Sequence, residues 1–350
     1  MLKKYKSSVY RSMGKTSQLR NKPNKISYFT VSIILLIVFV WSLSTGETAI
    51  GLNEVVNYTF GNTNTSTANL IIHDIRLPRS IAAVLTGYAL GLSGAILQGM
   101  LRNPLASPYL LGISSGAGIC VVIMFSLNII SSLIPFGAWA GSIIAAAIVF
   151  VIAYEKNNIS VQRLILSGVA ISSVLSSIQA IFLLTLDDTR IQNSLTWLSG
   201  TLAGRDWADI RYTWIPILSC GCISLLFGKQ LNLAFLDNDT SKSLGLSIVR
   251  MRLFVGLIAT MMTACAVCIA GLVGFVGLVV PHIVRLLFGN NYIHIIPISG
   301  VIGAIFVLLA DVLARSYLWE LPVGIVTSLL GSPFFIYLLQ RSHHMRNHNG

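Results

Sequence analysis

Few residues of this chain have the type and spacing that catalysis or metal binding needs. Cys265 and Cys268 form a C-x-x-C pair, but a zinc site needs a second pair of ligands and a redox motif needs a βαβ context. His282 has no apparent second ligand, and such a histidine is more often packed than metal-bound. Ser93 lies in a Gly-Leu-Ser-Gly stretch, yet a serine nucleophile needs a histidine base within reach. The sequence therefore predicts no catalytic residue and no metal site.

The composition indicates that most of the chain lies in lipid. Hydrophobic residues make up 54% of the 350 positions and charged residues only 10%, against about 25% charged in soluble domains. A soluble chain of this length buries only about three quarters of its surface, so it could not hide this much apolar area. The net charge of +12 could suggest nucleic acid. However, eight of the 24 Lys and Arg fall within residues 1–25, so we expect no nucleic-acid partner.

Apolar segments recur at lengths that can cross a hydrocarbon core about 30 Å thick, which takes about 20 helical residues. The sequence thus predicts an all-α, polytopic integral membrane protein with about ten transmembrane helices. The predicted spans are 26–43, 78–98, 111–130, 134–154, 162–186, 212–228, 251–272, 275–288, 295–313 and 322–340. The eighth span is short and Gly-rich, which predicts a break there. Residues 187–211, with Trp197 and Trp207, predict a helix lying at the membrane interface.

Three regions follow from this pattern: a basic N-terminal arm over 1–25, a transmembrane domain over 26–340 and a tail over 341–350. Lysine and arginine are enriched on the cytoplasmic side of membrane proteins. If the N-terminus lies inside, the inner face carries 18 of the 24 Lys and Arg. The sequence therefore predicts that both termini are cytoplasmic and that the surrounding partner is a lipid bilayer.

Charged residues are rare within the predicted spans, so each exception is informative. A charge at mid-bilayer costs about 2.5–3.5 kcal/mol on insertion scales. Arg76 and Arg79 open the second span at its outer end, and Asp311 and Arg315 lie one helical turn apart in the ninth span, where they can pair. Two interpretations stay open from the residues alone. The arginines either extend to lipid headgroups or form an exposed cationic patch that receives acidic residues of an extracellular partner.

Longer motifs occur in a fixed order over residues 70–340. They are Arg76-Leu77-Pro78-Arg79, Gly91-Leu92-Ser93-Gly94-Ala95 with Gln98, Asn103-Pro104-Leu105-Ala106-Ser107-Pro108 with Leu111-Gly112, residues 271–285, residues 310–315 and residues 321–327. This ordered set closely resembles the permeases of the iron–siderophore and cobalamin ABC importers, the FecCD family of type II ABC importers. The basic N-terminal arm has no counterpart in the resemblance.

The resemblance implies a non-enzymatic transport subunit in a bacterial plasma membrane. It implies a second permease subunit (a copy of this chain or a different one), two ATP-binding subunits that carry ATP and Mg, and an extracellular solute-binding protein. No cofactor is expected on this chain. The implied function is to move a ferric-siderophore-type ligand from the binding protein to the cytoplasm, with haem and cobalamin as alternatives in the same class.

Functional residues are also implied by the resemblance, position by position. Arg76, Arg79 and Arg315 match the arginines that meet glutamates on the two lobes of the binding protein. Residues 232–247 resemble the segment that couples the permease to the ATPase, and the expected coupling residues are Asp237, Asp239, Lys242, Leu244 and Gly245. An aspartate can cap a helix start and a glycine can end a helix, but a plain polar loop is the alternative.

The fifth and tenth spans flank the translocation pathway in the family. The residues that could face it here are Gly168, Ser172, Ser173, Ser176, Val323 and Thr327. Small residues spaced three and four apart, among them Gly87, Gly91 and Gly94 of the second span, also allow helices to pack closely. That packing role is the more common one.

Three other classes of protein fit the residues less well. The Gly-Leu-Ser-Gly stretch matches the surroundings of a rhomboid protease serine, but ten spans exceed the rhomboid count. Ion-coupled secondary transporters place carboxylates near the midplane, and the span centres hold none. Met13-Gly14-Lys15-Thr16 resembles the end of a P-loop but lacks its first glycine and a preceding strand. ATP hydrolysis is therefore expected on a separate subunit.

Overall fold

The computed structural model describes residues 25–46, 48, 50–59, 67–155, 158–235, 247–317 and 320–347. Its α-helices, in chain order, are α1 Lys25–Ser44, α2 Leu52–Thr59, α3 Thr67–Leu70, α4 Leu77–Met100, α5 Ile113–Ser126, α6 Ile134–Ala153, α7 Val161–Leu183, α8 Asp188–Leu198, α9 Trp207–Arg211, α10 Trp214–Leu225, α11 Gly228–Ala234, α12 Ile248–Ala270, α13 Val276–Phe288, α14 Tyr292–Tyr317 and α15 Val323–Asn347. A π-helical turn, Ile71–Arg76, joins α3 to α4. The strands are β1 Tyr154–Glu155 and β2 Asn158–Ile159, paired antiparallel.

The described residues confirm an all-α membrane fold. Six helices are long and apolar enough to cross a membrane, and a seventh crossing results if the bent pair Trp207–Leu225 and Gly228–Ala234 is one span. Three shorter apolar helices, Ile113–Ser126, Val276–Phe288 and Val323–Ile336, coincide with the remaining predicted spans. The 55° bend within the pair was not predicted.

Helix α4 lies at the centre of the fold, because glycines let its neighbours approach to backbone contact. A Cβ atom on Gly87 would lie 2.2 Å from the carbonyl oxygen of Gly303 in α14. A Cβ atom on Gly94 would lie 2.0 Å from the carbonyl oxygen of Gly277 in α13. Small residues at such crossings are the usual means of close packing between membrane helices. The predicted packing role of these α4 glycines is confirmed.

The predicted break near α13 lies just before that helix, at Gly271–Phe275. Irregular backbone is tolerated at membrane depth only where it is buried in protein or lines a cavity. Val273 is buried there, and its backbone N–H and C=O both bond to the Tyr109 hydroxyl, at 3.0 and 2.8 Å. The side chain of Tyr109 thus replaces the backbone partner that a helix would have supplied.

The predicted interfacial helix at 187–211 is two helices, α8 and α9, so the prediction of one helix was wrong. Gly200 and Gly204 both adopt positive φ, +72° and +68°, a conformation that ends a helix at little cost only for glycine. Gly200 also accepts a hydrogen bond through its carbonyl from the Gly324 N–H at 3.1 Å. The loop between α8 and α9 is therefore hydrogen-bonded to the start of α15.

Candidate functional site

Charged side chains meet at the predicted outer ends of α4 and α14. Asp311 of α14 is completely buried, and its Oδ1 accepts from Arg79 Nε at 3.0 Å. Its Oδ2 lies 3.4 Å from Nε of Arg315, one turn further along the same helix. Glu320 Oε1 is 3.5 Å from Arg79 Nη1. A buried carboxylate is tolerated only when it is paired, and here two guanidinium groups flank it.

Two of the arginines also bond the carbonyls at the C-terminal end of α1, its predicted outer end. Arg315 donates from Nη2 to the carbonyl of Ser42 at 2.9 Å and from Nη1 to that of Thr45 at 3.2 Å. Arg76 donates from Nη1 to the carbonyl of Leu43 at 2.8 Å. The last four carbonyls of a helix lack partners within the helix, and a cation at the C-terminus is favoured by the helix dipole. The guanidinium groups thus cap α1 from a neighbouring helix.

The three arginines were expected to form an exposed cationic patch, but their side chains are largely buried. Arg76 is only 4% exposed, and the side chains of Arg315 and Arg79 are 5% and 12% exposed. The physical reason is that their hydrogen-bonding capacity goes to α1 carbonyls and to two carboxylates. Arg79 is the most accessible of the three, at the edge of the cluster beside Glu320. The docking role of these arginines stays a prediction.

A second polar site lies at the opposite end of α4, around Gln98. Its Nε2 donates to the carbonyls of Ala106, Gly277 and Leu278 at 3.1–3.2 Å, and its Oε1 accepts from Arg285. One buried amide thereby ties the end of α4, the following loop and the start of α13 together. A backbone acceptor left unpaired inside the protein costs about 1–3 kcal/mol.

We expect Gln98→Met, which keeps the volume but removes the amide, to weaken this junction. Three carbonyls and Arg285 lose a partner together, so the expected cost is at least about 2 kcal/mol. The measurement is thermal unfolding of the purified chain in detergent. Gln192→Met is a matched control, because Gln192 lies on the exposed surface of α8. Equal midpoints for the two variants would contradict the junction role.

The Gln98 junction borders a cavity of about 440 Å³. Its lining residues are Gln98, Arg102, Asn103, Pro104, Asn232, Phe235, Arg285, Asn290 and Tyr292. Two guanidinium groups and four side-chain amides face it, and the described lining includes no carboxylate. The size is in the range of ligand-binding clefts, and the charge suits an acidic group.

Known proteins resemble this chain in sequence and in fold. The sequence profile of the FecCD transport family matches residues 34–341. The chain belongs to the FecCD transport family. The Fe(3+)-citrate import system permease protein YfmD of Bacillus subtilis is 37% identical over 336 residues, which are 93% of this chain and 98% of that protein. The cobalamin import system permease protein BtuC of Halobacterium salinarum is 38% identical over 276 residues, 78% of this chain and 74% of that protein.

A solved structure assigned to a metal-chelate type ABC transporter, in an inward-facing conformation, has the same fold. It matches with a TM-score of 0.79 at 29% identity, covering 89% of this chain and 98% of that one. The FecCD chain is accordingly a multi-pass membrane permease of an ABC transporter. The family resemblance inferred from the ordered motifs is confirmed.

The predicted coupling residues of this FecCD permease, Asp237, Asp239, Lys242, Leu244 and Gly245, lie outside the described residues. The beginning of the segment is described and anchored, however. Asn232 donates from Nδ2 to Asn291 Oδ1 at 2.7 Å and accepts from the Tyr292 N–H at 2.9 Å. The chain therefore leaves α11 from a fixed point beside the cavity.

The structure separates the six predicted pathway residues into two groups. Gly168 is buried, and a Cβ there would lie 1.8 Å from the carbonyl oxygen of Leu110, so close packing explains this glycine. Val323 and Thr327 are buried inside the chain and offer no open surface to a pathway in this structure, contrary to expectation. The serines of α7 differ, since Ser173 and Ser176 are exposed and Ser172 is half-buried.

Ser93 of the FecCD permease is buried in helix packing. Its hydroxyl donates to the Leu90 carbonyl at 3.1 Å and lies 3.2 Å from the hydroxyl of Thr263 in α12. Both contacts are those of a packed serine between helices. No described histidine is among its hydrogen-bond partners, so the geometry gives no support to the protease alternative.

The outer cluster is the group of polar side chains made of Arg76, Arg79, Asp311, Arg315, Glu320 and Ser42. Sequence reasoning missed two of its members, Glu320 and Ser42. Ser42 lies in an apolar span with no distinguishing pattern, and its hydroxyl contacts both Ser80 of α4 and Arg315 of α14. Glu320 carries one signal, an acid directly before a Leu-Pro pair. Neither residue could have been placed beside the cluster without the fold.

Proposed function

We propose that this FecCD permease moves a ferric-siderophore-type ligand across the plasma membrane. The likeness to a Fe(3+)-citrate permease over nearly the full length of both chains carries the proposal. Cobalamin is the alternative, supported by a likeness of similar strength to a cobalamin permease over a smaller part of that protein. Haem is the third ligand of the class. A strain lacking this chain should lose uptake of radiolabelled iron from one or more siderophores while keeping cobalamin uptake. Loss of cobalamin uptake alone would favour the alternative.

We further propose the assembly that transport of this ligand requires. The permease pairs with a second permease subunit, and two ATP-binding subunits hydrolyse ATP on the cytoplasmic side, where both termini of this chain lie. An extracellular binding protein delivers the ligand. The segment 232–247 reaches the ATPase from its anchor at Asn232. A cysteine introduced at Lys242 should crosslink to the ATP-binding subunit, and one introduced at Asn128 on the opposite face should not.

Arg79 is the proposed contact for the binding protein, because it is the most accessible arginine of the outer cluster. We expect Arg79→Gln to weaken docking of the binding protein about tenfold, since opposite charges at an interface steer and orient the partners. The measurement is binding of the purified binding protein to the assembled transporter in nanodiscs. Arg211→Gln is the control, because Arg211 is an exposed arginine of α9 outside the cluster.

Basal ATP hydrolysis per assembled transporter should be unchanged by Arg79→Gln, although loss of one partner of the buried Asp311 should lower the yield of assembled protein. Substitutions at Arg76 and Arg315 are less informative about docking, because both side chains hold carbonyls of α1 and their loss also harms the fold. Docking of Arg79→Gln at the wild-type level would contradict the proposed contact.

The exposed serines of α7 are proposed to face the translocation pathway. Ser173 and Ser176 lie on a helix of which only 17% is buried inside the chain, so this surface needs either lipid or a second subunit against it. Hydroxyls suit a wetted pathway better than lipid. Thiol reagents that reach the pathway from water should label Ser176→Cys in the assembled transporter and spare Ile178→Cys, an exposed apolar position on the opposite side of the same helix.

A further inference from the structure

Glu320 occupies the accessible side of Arg79 in the free permease. The two ends of the Arg79 guanidinium are used differently: Nε bonds to the buried Asp311 at 3.0 Å, and Nη1 points to Glu320 at 3.5 Å. A guanidinium is a planar fork of five donors in fixed directions. Asp311 therefore fixes the plane of the fork, and Nη1 is the donor left for a second carboxylate.

The contact to Glu320 has the properties of an exchangeable partner. Its distance of 3.5 Å is at the limit of a hydrogen bond, whereas charge-assisted bonds are typically 2.7–2.9 Å. The Glu320 side chain is 54% exposed, and that of Asp311 is completely buried. Exposed ion pairs contribute little because water competes for both charges. Asp311 is thus a permanent partner of Arg79, and Glu320 is held weakly.

The backbone at Glu320 points to a positional constraint. Its φ is +56°, in the left-handed region that non-glycine residues seldom adopt. The backbone N–H of Glu320 donates to the carbonyl of Ala314 at 3.1 Å, which ties this residue to the end of α14. Glu320 is thus held at a position from which its carboxylate reaches Arg79 Nη1 while the side chain stays 54% exposed.

We infer that Glu320 is an internal substitute for an acidic side chain of the binding protein, and that docking replaces it at Arg79. This inference rests on the proposed function, in which Arg79 receives the binding protein. In the free permease Glu320 satisfies Nη1 and keeps the outer surface from attracting other acidic proteins. On docking, a carboxylate of the binding protein takes Nη1 and Glu320 turns outward. Docking affinity then depends on how much more strongly the carboxylate of the binding protein interacts with the Arg79 guanidinium than Glu320 does.

The experiment compares docking of the binding protein to transporters in nanodiscs. Glu320→Gln removes the competing charge and keeps the shape, so the dissociation constant should fall about 2- to 5-fold, the range expected for an exposed ion pair. Asp188→Asn is the control, because Asp188 is an exposed acid of α8 that is not a partner of Arg79. It removes the same charge from the predicted outer face and should change docking less than twofold.

The Arg79→Gln background separates this inference from the proposed function. With Arg79 replaced, Glu320→Gln should have no further effect on docking, because the shared guanidinium is gone. If Arg79→Gln alone leaves docking unchanged, the proposed contact itself is wrong. If Arg79→Gln weakens docking but Glu320→Gln leaves docking unchanged or weakens it too, then Arg79 does contact the binding protein. In that case the inference that Glu320 competes for Arg79 is wrong. An equal gain from Glu320→Gln in both backgrounds also overturns the competition.

Discussion

Asp311→Ala is expected to destabilise the permease by about 3–5 kcal/mol, the cost of leaving buried charges without their partner. Asp311 is completely buried between two guanidinium groups, 3.0 Å from Arg79 Nε and 3.4 Å from Arg315 Nε. Its removal leaves both cations in an apolar outer end of the bundle. The expected measurement is a lower midpoint of thermal unfolding in detergent, with a smaller yield of monodisperse protein.

A second carboxylate of the same cluster provides the control for Asp311. Glu320 is 54% exposed and also pairs with Arg79, so Glu320→Gln should change stability by less than about 1 kcal/mol. The double variant Asp311→Asn with Arg79→Gln should lose less than the two single variants together, since it removes one charge along with its partner. A midpoint for Asp311→Ala at the wild-type value would contradict a structural role for this ion-pair cluster.

The structural role of the outer cluster changes how its arginines are understood. Arg76 and Arg315 cap the last carbonyls of α1, while Arg79 keeps one donor near the surface. The cluster joins α1, α4 and α14 at their predicted outer ends, where the proposed docking protein would contact the permease. If Glu320 is exchanged on docking as inferred, the fixed part of the cluster is a preorganised contact, and preorganisation lowers the entropic cost of binding.

The membrane helices were predictable because their signal is local. Each predicted span coincides with a helix of the structure, since length and hydrophobicity alone decide whether a segment can cross a bilayer. The glycines of α4 were predicted as packing residues for the same reason: small residues three and four apart leave a groove whatever lies opposite. The 55° bend after α10 was not predicted: Gly228 directly follows it, but a lone glycine is also tolerated within a helical segment.

The surroundings of the charged residues could not be predicted, because their partners are distant in sequence and often backbone atoms. Arg76 bonds the carbonyl of Leu43, 33 residues away, and Arg79 pairs with Asp311, 232 residues away. The sequence shows an arginine at an unfavourable place but not which carbonyl it meets. Thr327 illustrates the same limit for the pathway, since the helix was predicted but the buried face was not.

Gly94→Val is expected to have the largest effect of any single substitution considered for this permease. Even the first added carbon would lie 2.0 Å from the Gly277 carbonyl oxygen and 2.5 Å from its Cα, so α4 and α13 must separate. Both neighbours are backbone atoms, which cannot rotate away as a side chain can. Overpacking in a close-packed interior costs about 1–3 kcal/mol for an added methylene and sometimes more, and valine adds a branched group.

The consequences of Gly94→Val should reach beyond the crossing itself. Gln98 lies one turn further along α4 and bonds the carbonyls of Gly277 and Leu278. Separation of α4 and α13 therefore also breaks the Gln98 junction beside the 440 Å³ cavity. We expect Gly94→Ala to lower the unfolding midpoint in detergent and Gly94→Val to prevent recovery of folded protein. Gly274→Ala is the matched control in the same region, since its Cβ would meet only the Ser328 hydroxyl at 3.3 Å. Unfolding midpoints that are equal for Gly94→Ala and Gly274→Ala would mean that the α4–α13 crossing does not need backbone contact.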